Sequence, residues 1–107
     1  MIPLLTQLQF EELLVRKTSD VVANTAVVVY FTASWCGACK RLDLDKIQAH
    51  NTTVVWYKCD IDVNKYTLGY CGLSKIPSFA FIKDGKFLGK FTSSDTDMVI
   101  EMIDESF

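Results

Sequence analysis

Ala26-Val27-Val28-Val29-Tyr30-Phe31-Thr32-Ala33-Ser34-Trp35-Cys36-Gly37-Ala38-Cys39-Lys40-Arg41-Leu42 joins an apolar run to two cysteines three residues apart, and then to a helix-like segment. An apolar run without alternation is the pattern of a strand covered on both faces. Two cysteines spaced i, i+3 on the first turn of a helix reach disulfide geometry without backbone distortion. The first of them then lies where unpaired N–H groups and the helix dipole favour a thiolate, the attacking form of cysteine. A cysteine pair of this kind at a strand–helix boundary predicts thiol–disulfide exchange.

Working outward, Val54-Val55-Trp56-Tyr57-Lys58-Cys59 is a second apolar run of the same kind. Two such strands joined by a helix make a right-handed parallel crossover, with the cysteine pair at the carboxyl end of the first strand, where open α/β sheets place their chemistry. Upstream, Thr6-Gln7-Leu8-Gln9 fits a capping box, and Phe10, Leu13 and Leu14 recur at helical spacing, which predicts a helix from Gln7 to Lys17 ahead of a strand over Thr25 to Thr32. Downstream, Asp62 to Tyr70 reads as a short helix closed by Gly69 or Gly72, and Ile76-Pro77 imposes extended backbone before a strand from Ser78 to Ile82. Lys83-Asp84-Gly85-Lys86 is a tight turn into an alternating strand, with Phe87, Gly89 and Phe91 on one face and Lys86, Leu88 and Lys90 on the other. Ser94 to Asp97 supplies N-caps for a terminal helix whose buried stripe is Val99, Met102 and Ile103, with Met98 beside it in the core.

The chain has 107 residues, of which 50% are hydrophobic and 22% charged, so the expectation is one domain over residues 1–107 with its own core. A net charge of -2, with no basic cluster beyond Arg16-Lys17 and Lys40-Arg41, gives no footprint for nucleic acid or an anionic membrane. Met1 to Gln7 carries no basic and apolar leader, and no stretch approaches the ~20 apolar residues that span a bilayer, so a cytoplasmic protein is expected. Structural zinc needs two closely spaced cysteine pairs, and only Cys36 and Cys39 form one; Cys59 and Cys71 are far apart in sequence with different surroundings, so no metal is expected. Cys59 reads as a core residue and Cys71 as a partly buried turn residue, with a regulatory or glutathionylated thiol as the alternative for Cys71. His50 suits the end of a helix rather than metal or acid–base work, and Asp43, Asp45 and Lys46 read as a solvated helix face.

Phe31 to Lys40, together with Lys58-Cys59-Asp60-Ile61-Asp62 and Gly72-Leu73-Ser74-Lys75-Ile76-Pro77-Ser78, resembles the thioredoxin family, and the resemblance covers nearly the whole chain. It implies the thioredoxin fold, an α/β domain with a central mixed sheet of four to five strands flanked by helices. It also implies a monomer that reduces protein disulfides, with Cys36, exposed at the helix start, as nucleophile and the more buried Cys39 as resolving thiol, and with no cofactor because the cysteine pair holds the electrons. A thioredoxin reductase or a glutathione-linked reductant would recycle it. Trp35, Gly37, Ala38, Lys75, Ile76, Pro77 and Ser93 would form the docking surface, with Pro77 cis and the backbone of Ile76 offered to an extended substrate segment.

The chain departs from the family at five positions. Ala38 stands where proline is usual between the cysteines, which is expected to raise the reduction potential. Tyr30 occupies the place of a buried aspartate, and a phenol with an unperturbed pKa near ~10 is a poor base at neutral pH. Cys39 is then expected to be activated by water, by the Cys36 thiolate or by another carboxylate, for which Asp60, on the same strand face as Lys58, is the candidate. Lys75 and Ser93 replace small residues and predict a more polar surface with a narrower set of partners. Leu44, in place of a helix proline, predicts a straighter active-site helix. Two other functions fit the same residues: a disulfide oxidase or isomerase of the protein disulfide isomerase type, and a non-catalytic interaction module.

Overall fold

The computed structural model describes residues 1–15 and 26–107. Its elements are β1 (Ile2–Pro3), α1 (Gln7–Val15), β2 (Ala26–Thr32), a 3-10 turn (Cys39–Arg41), α2 (Leu44–His50), β3 (Val55–Asp60), α3 (Thr67–Tyr70), β4 (Ser78–Lys83), β5 (Lys86–Thr92) and α4 (Thr96–Ser106). The strands form one mixed sheet in the order β1-β3-β2-β4-β5. β2 lies in the middle, parallel to β3 with Val27 opposite Val55, and antiparallel to β4 with Tyr30 opposite Phe79. Its unbroken apolar run follows from this place. Val27, Val29 and Phe31 enter one core cluster with Phe10, Leu13 and Ile82, while Val28 and Tyr30 enter the other with Ile47, Trp56, Phe79, Val99 and Ile103. Among the described residues no helix is long and apolar enough to cross a membrane.

Several local expectations hold in detail. The Thr6 hydroxyl accepts the Gln9 N–H at 3.1 Å, and Gln9 Oε1 accepts the Thr6 N–H at 3.1 Å, so α1 starts on a reciprocal capping box. The expected end of this helix at Lys17 and the strand start at Thr25 lie outside the described residues. Asp95 caps α4 by accepting the Met98 N–H at 3.1 Å. Asp84 and Gly85, with φ of 55° and 76°, make the two-residue turn between β4 and β5 in the left-handed geometry that matches strand twist.

One element is added and three expectations are corrected. β1 is an added edge strand, two residues pairing with Tyr57 and Lys58, too short to leave a periodic signature. The helix expected from Asp62 is confined to Thr67–Tyr70, because residues 61–64 turn sharply after β3. The alternation of β5 breaks at a register shift: Phe81 faces Gly89 while Ile82 faces Phe87, so Leu88 is an extra residue. Phe87 is thereby carried to the opposite face from Phe91 and meets Phe10 edge-on at 6.4 Å, whereas Phe91 packs on the Phe79 side. Met98 is half exposed, and the core face of α4 is Val99 and Ile103 with Met102 at its border.

The active-site helix is the largest correction, since it is interrupted rather than straight. After the 3-10 turn, Leu42 is extended (φ -76°, ψ 135°), and Asp43 starts a new helix by accepting the Lys46 N–H at 3.0 Å. The Asp43 N–H is taken by the Thr96 hydroxyl at 2.9 Å, so a residue of α4 satisfies the donor exposed at the break. Leu42 turns inward into the Phe79 cluster, which compensates for the broken ladder. Asp43, Asp45 and Lys46 are exposed, as expected of a solvated face, and two of them have further contacts: Asp43 caps α2 and Lys46 pairs with Asp97 at 3.1 Å.

Candidate active site

Cys36 and Cys39 are joined by a disulfide with Cα atoms 5.3 Å apart, at the carboxyl end of β2. The pair lies on the turn ahead of the break, so the cysteines do not sit on the first turn of a long helix, and the dipole expected there is replaced by a local donor. The Cys39 N–H donates to Cys36 Sγ at 3.1 Å. The expected difference in exposure is also absent: Cys36 is 4% and Cys39 6% exposed, because Ala33, Ala38, Ile61 and Ile76 pack around both. What distinguishes the two sulfurs is the hydrogen bond, which only Cys36 Sγ is seen to accept among the described residues.

The residues around the pair come from three segments. Trp35 is 63% exposed, and its indole N–H donates to Asp62 Oδ2 at 2.9 Å. Sequence reasoning passed over Asp62. Its signal was available, since β2 and β3 run parallel and the residues just past their carboxyl ends share one edge. Gly37 is exposed with open space where a side chain would be, and Ala38 is half-buried in the turn. The Ile76–Pro77 peptide bond is cis, with Pro77 buried and Ile76 packed against the cysteines. Lys75 is exposed, and its carbonyl accepts a short hydrogen bond from the buried Ser78 hydroxyl, which lies 2.6 Å from Thr92 Oγ1. At the other end of the same loop, Lys90 Nζ donates to the Gly72 carbonyl at 2.9 Å. Strand β5 therefore braces both ends of the segment that carries Ile76. Ser93 is engaged in the turn before α4, where its hydroxyl accepts the Asp95 N–H at 3.0 Å.

Tyr30 lies in the core, stacked on Phe79 with ring centroids 5.3 Å apart. Burial raises its phenol pKa, opposed in part by a hydrogen bond with the Thr32 side chain, so it has no basic form at neutral pH. Lys58, opposite Tyr30 in the sheet register, lines an open cleft with Asp60, Pro3, Leu4 and Val63. Asp60 Oδ1 accepts the Asp62 N–H at 2.9 Å. Cys59 and Cys71, expected in different surroundings, share one apolar cluster with Phe31 and Ile82. Burial pushes both thiols up to about 12, with the Cys71 and Asp60 charges adding to the effect at Cys59 and Lys90 opposing it at Cys71. Neither is a thiolate at neutral pH, which leaves Cys71 a buried turn residue.

With this geometry in place, comparison with known proteins is specific. The family model for thioredoxin matches residues 3–105. The thioredoxin of Chlamydia muridarum (strain MoPn / Nigg) is 34% identical over 88 residues, a match covering 79% of this chain and 86% of that protein. The TPR repeat-containing thioredoxin TDX of Arabidopsis thaliana is 30% identical over 95 residues, covering 79% of this chain and only 25% of that longer protein. Among solved structures, Fasciola hepatica thioredoxin superposes with a TM-score of 0.83 at 27% identity, with all of both chains covered.

Proposed function

Because the chain belongs to the thioredoxin family, where a disulfide-forming cysteine pair carries thiol–disulfide oxidoreduction, we propose that it works as a reductant of protein disulfides in a reducing compartment. The observation that carries the reading is the one-sided hydrogen bond from the Cys39 N–H to Cys36 Sγ. It stabilises a Cys36 thiolate over a Cys39 thiolate and so makes Cys36 the nucleophile. That thiolate attacks one sulfur of a substrate disulfide, forms a mixed disulfide and releases the other substrate sulfur as a thiolate. Cys39, losing its proton to solvent or to a carboxylate such as Asp60, attacks Cys36 Sγ. The internal disulfide closes and the second substrate thiol leaves, so two electrons and one disulfide bond have changed hands. Trp35, held by Asp62, and Ile76, held through Lys75 and Ser78, flank the sulfurs and supply the docking walls. The recycling partner is a flavin-dependent thioredoxin reductase or a glutathione-linked system.

Ala38 between the cysteines favours a second reading, an oxidase or isomerase with a higher potential. An equilibrium titration of the Cys36/Cys39 couple against glutathione and dithiothreitol buffers, read by mass after alkylation, separates the two. A potential near ~-270 mV supports the reductant, and one near ~-180 mV supports the oxidase or isomerase. Absence of a two-electron couple removes both and leaves an interaction module.

A further inference from the structure

Three cations adjoin the cysteine pair or the Ile76 wall along the chain. Lys40 and Arg41 are exposed and follow Cys39 within its own 3-10 turn, and Lys75 is exposed one residue before the Ile76 wall. Among the described residues the ion pairs are Lys46–Asp97 and His50–Asp104, so none of the three has an ion-pair partner there. The acids of the same rim are differently placed. Asp62 is engaged by the Trp35 indole and Asp60 by the Asp62 N–H, which keeps that negative charge on the Trp35 side. The chain as a whole carries a net charge of -2, so these three cations are opposite in sign to the molecule.

Lys75 is also fixed in place. Its carbonyl is held by Ser78, which is buried and shares its hydroxyl with Thr92, and its neighbour Ile76 packs on Ala33, Cys36 and Cys39. The exposed Lys75 side chain thus leaves a pinned backbone one residue from the wall that packs on the reacting sulfurs. Resting on the reductant reading above, we infer that the site selects disulfides carried on acidic polypeptide segments, with Asp or Glu within a residue or two of the reacting cysteine, and that Lys75 is a specificity-determining residue. Exposed charge pairs are individually weak, so the selection is modest and sensitive to salt. About two- to fivefold in kcat/KM is expected at low ionic strength, lying mainly in KM.

Three cyclic peptides with one disulfide ring, flanked by Asp, Ala or Lys and otherwise identical, test the inference with the reduced full chain. The expected result is Asp faster than Ala and Ala faster than Lys at low salt, with the spread collapsing at about 0.5 M salt. Lys75→Gln should narrow the Asp-to-Lys ratio and Lys75→Glu should invert it. Equal kcat/KM for Asp and Lys peptides at low salt, with the Ala peptide reduced, overturns the acidic preference alone. Failure to reduce any of the three overturns the reductant reading and the inference with it.

Discussion

Gly72→Ala perturbs the start of the docking loop in a way the structure makes quantitative. Gly72 follows α3 with φ +74°, its N–H bonds the Gly69 carbonyl at 2.9 Å, and the Leu73 N–H bonds the Leu68 carbonyl at 3.0 Å. This is the paired 6→1 and 5→2 closure in which the left-handed residue is normally glycine. An alanine there costs about 1 kcal/mol in backbone conformation. Its Cβ would also stand 2.5 Å from Lys90 Nζ, which must swing away and give up its hydrogen bond to the Gly72 carbonyl. A net hydrogen bond is worth about 1 kcal/mol, so the substitution should cost about 2 kcal/mol in total. Urea unfolding of the oxidised protein measures it. In a Lys90→Met background, where the hydrogen bond is already lost and the longest side-chain reach is gone, the same change should cost only the conformational ~1 kcal/mol. The reasoning is refuted by an equal cost in both backgrounds, or by a Gly72→Ala protein as stable as the parent.

Cys59 and Cys71 are both pushed from near 9 to about 12, so between these values the folded protein keeps protons that the unfolded chain has released. Their contribution to stability is complete below pH 9 and is lost as pH rises towards 12, by on the order of 1 kcal/mol per pH unit per thiol. In a Cys36→Ser, Cys39→Ser background kept reduced, adding Cys59→Ala and Cys71→Ala should flatten the fall of urea midpoints above pH 9; parallel curves would count against it. Asp43→Ala removes the cap of α2 and should lower stability by about 1 kcal/mol in the same assay. Asp62→Ala frees the Trp35 indole and should raise KM for a peptide disulfide about fivefold with kcat unchanged. Asp62→Asn, which retains an acceptor oxygen, should restore KM, and an unaltered KM in the alanine variant would show that the indole needs no anchor.

The architecture could be read from the sequence where one physical signal dominated. Val27 to Phe31 lacks alternation because β2 is covered on both faces, and Thr6 with Gln9 names a helix start because the two residues satisfy each other's backbone groups. The cysteine pair and the Ile76–Pro77 segment converge at one end of the sheet, and their order along the chain already carried that. What stayed hidden depended on partners distant in sequence. The break after Leu42 is completed by Thr96, 53 residues from Asp43, and although Asp43 is a good N-cap residue, its sequence alone does not say that the preceding turn ends there. The bulge at Leu88 is a matter of register against β4, invisible to a reading of β5 alone, and it moved Phe87 across the sheet. The near-equal burial of Cys36 and Cys39 comes from Ile61 and Ile76 closing over them, residues contributed by two other segments.

The disulfide closes a ring between residues only three apart in sequence. A cross-link reduces the freedom of the unfolded chain according to the length of the loop it closes, and for so short a loop the entropic gain is about 2 kcal/mol, well under that of a bridge spanning a domain. The sheet, the capped helices and the two large apolar clusters are assembled from contacts in which this bond takes no part. The covalent bond is thus a small local tether laid on a frame built by other interactions, rather than the staple around which the chain is folded.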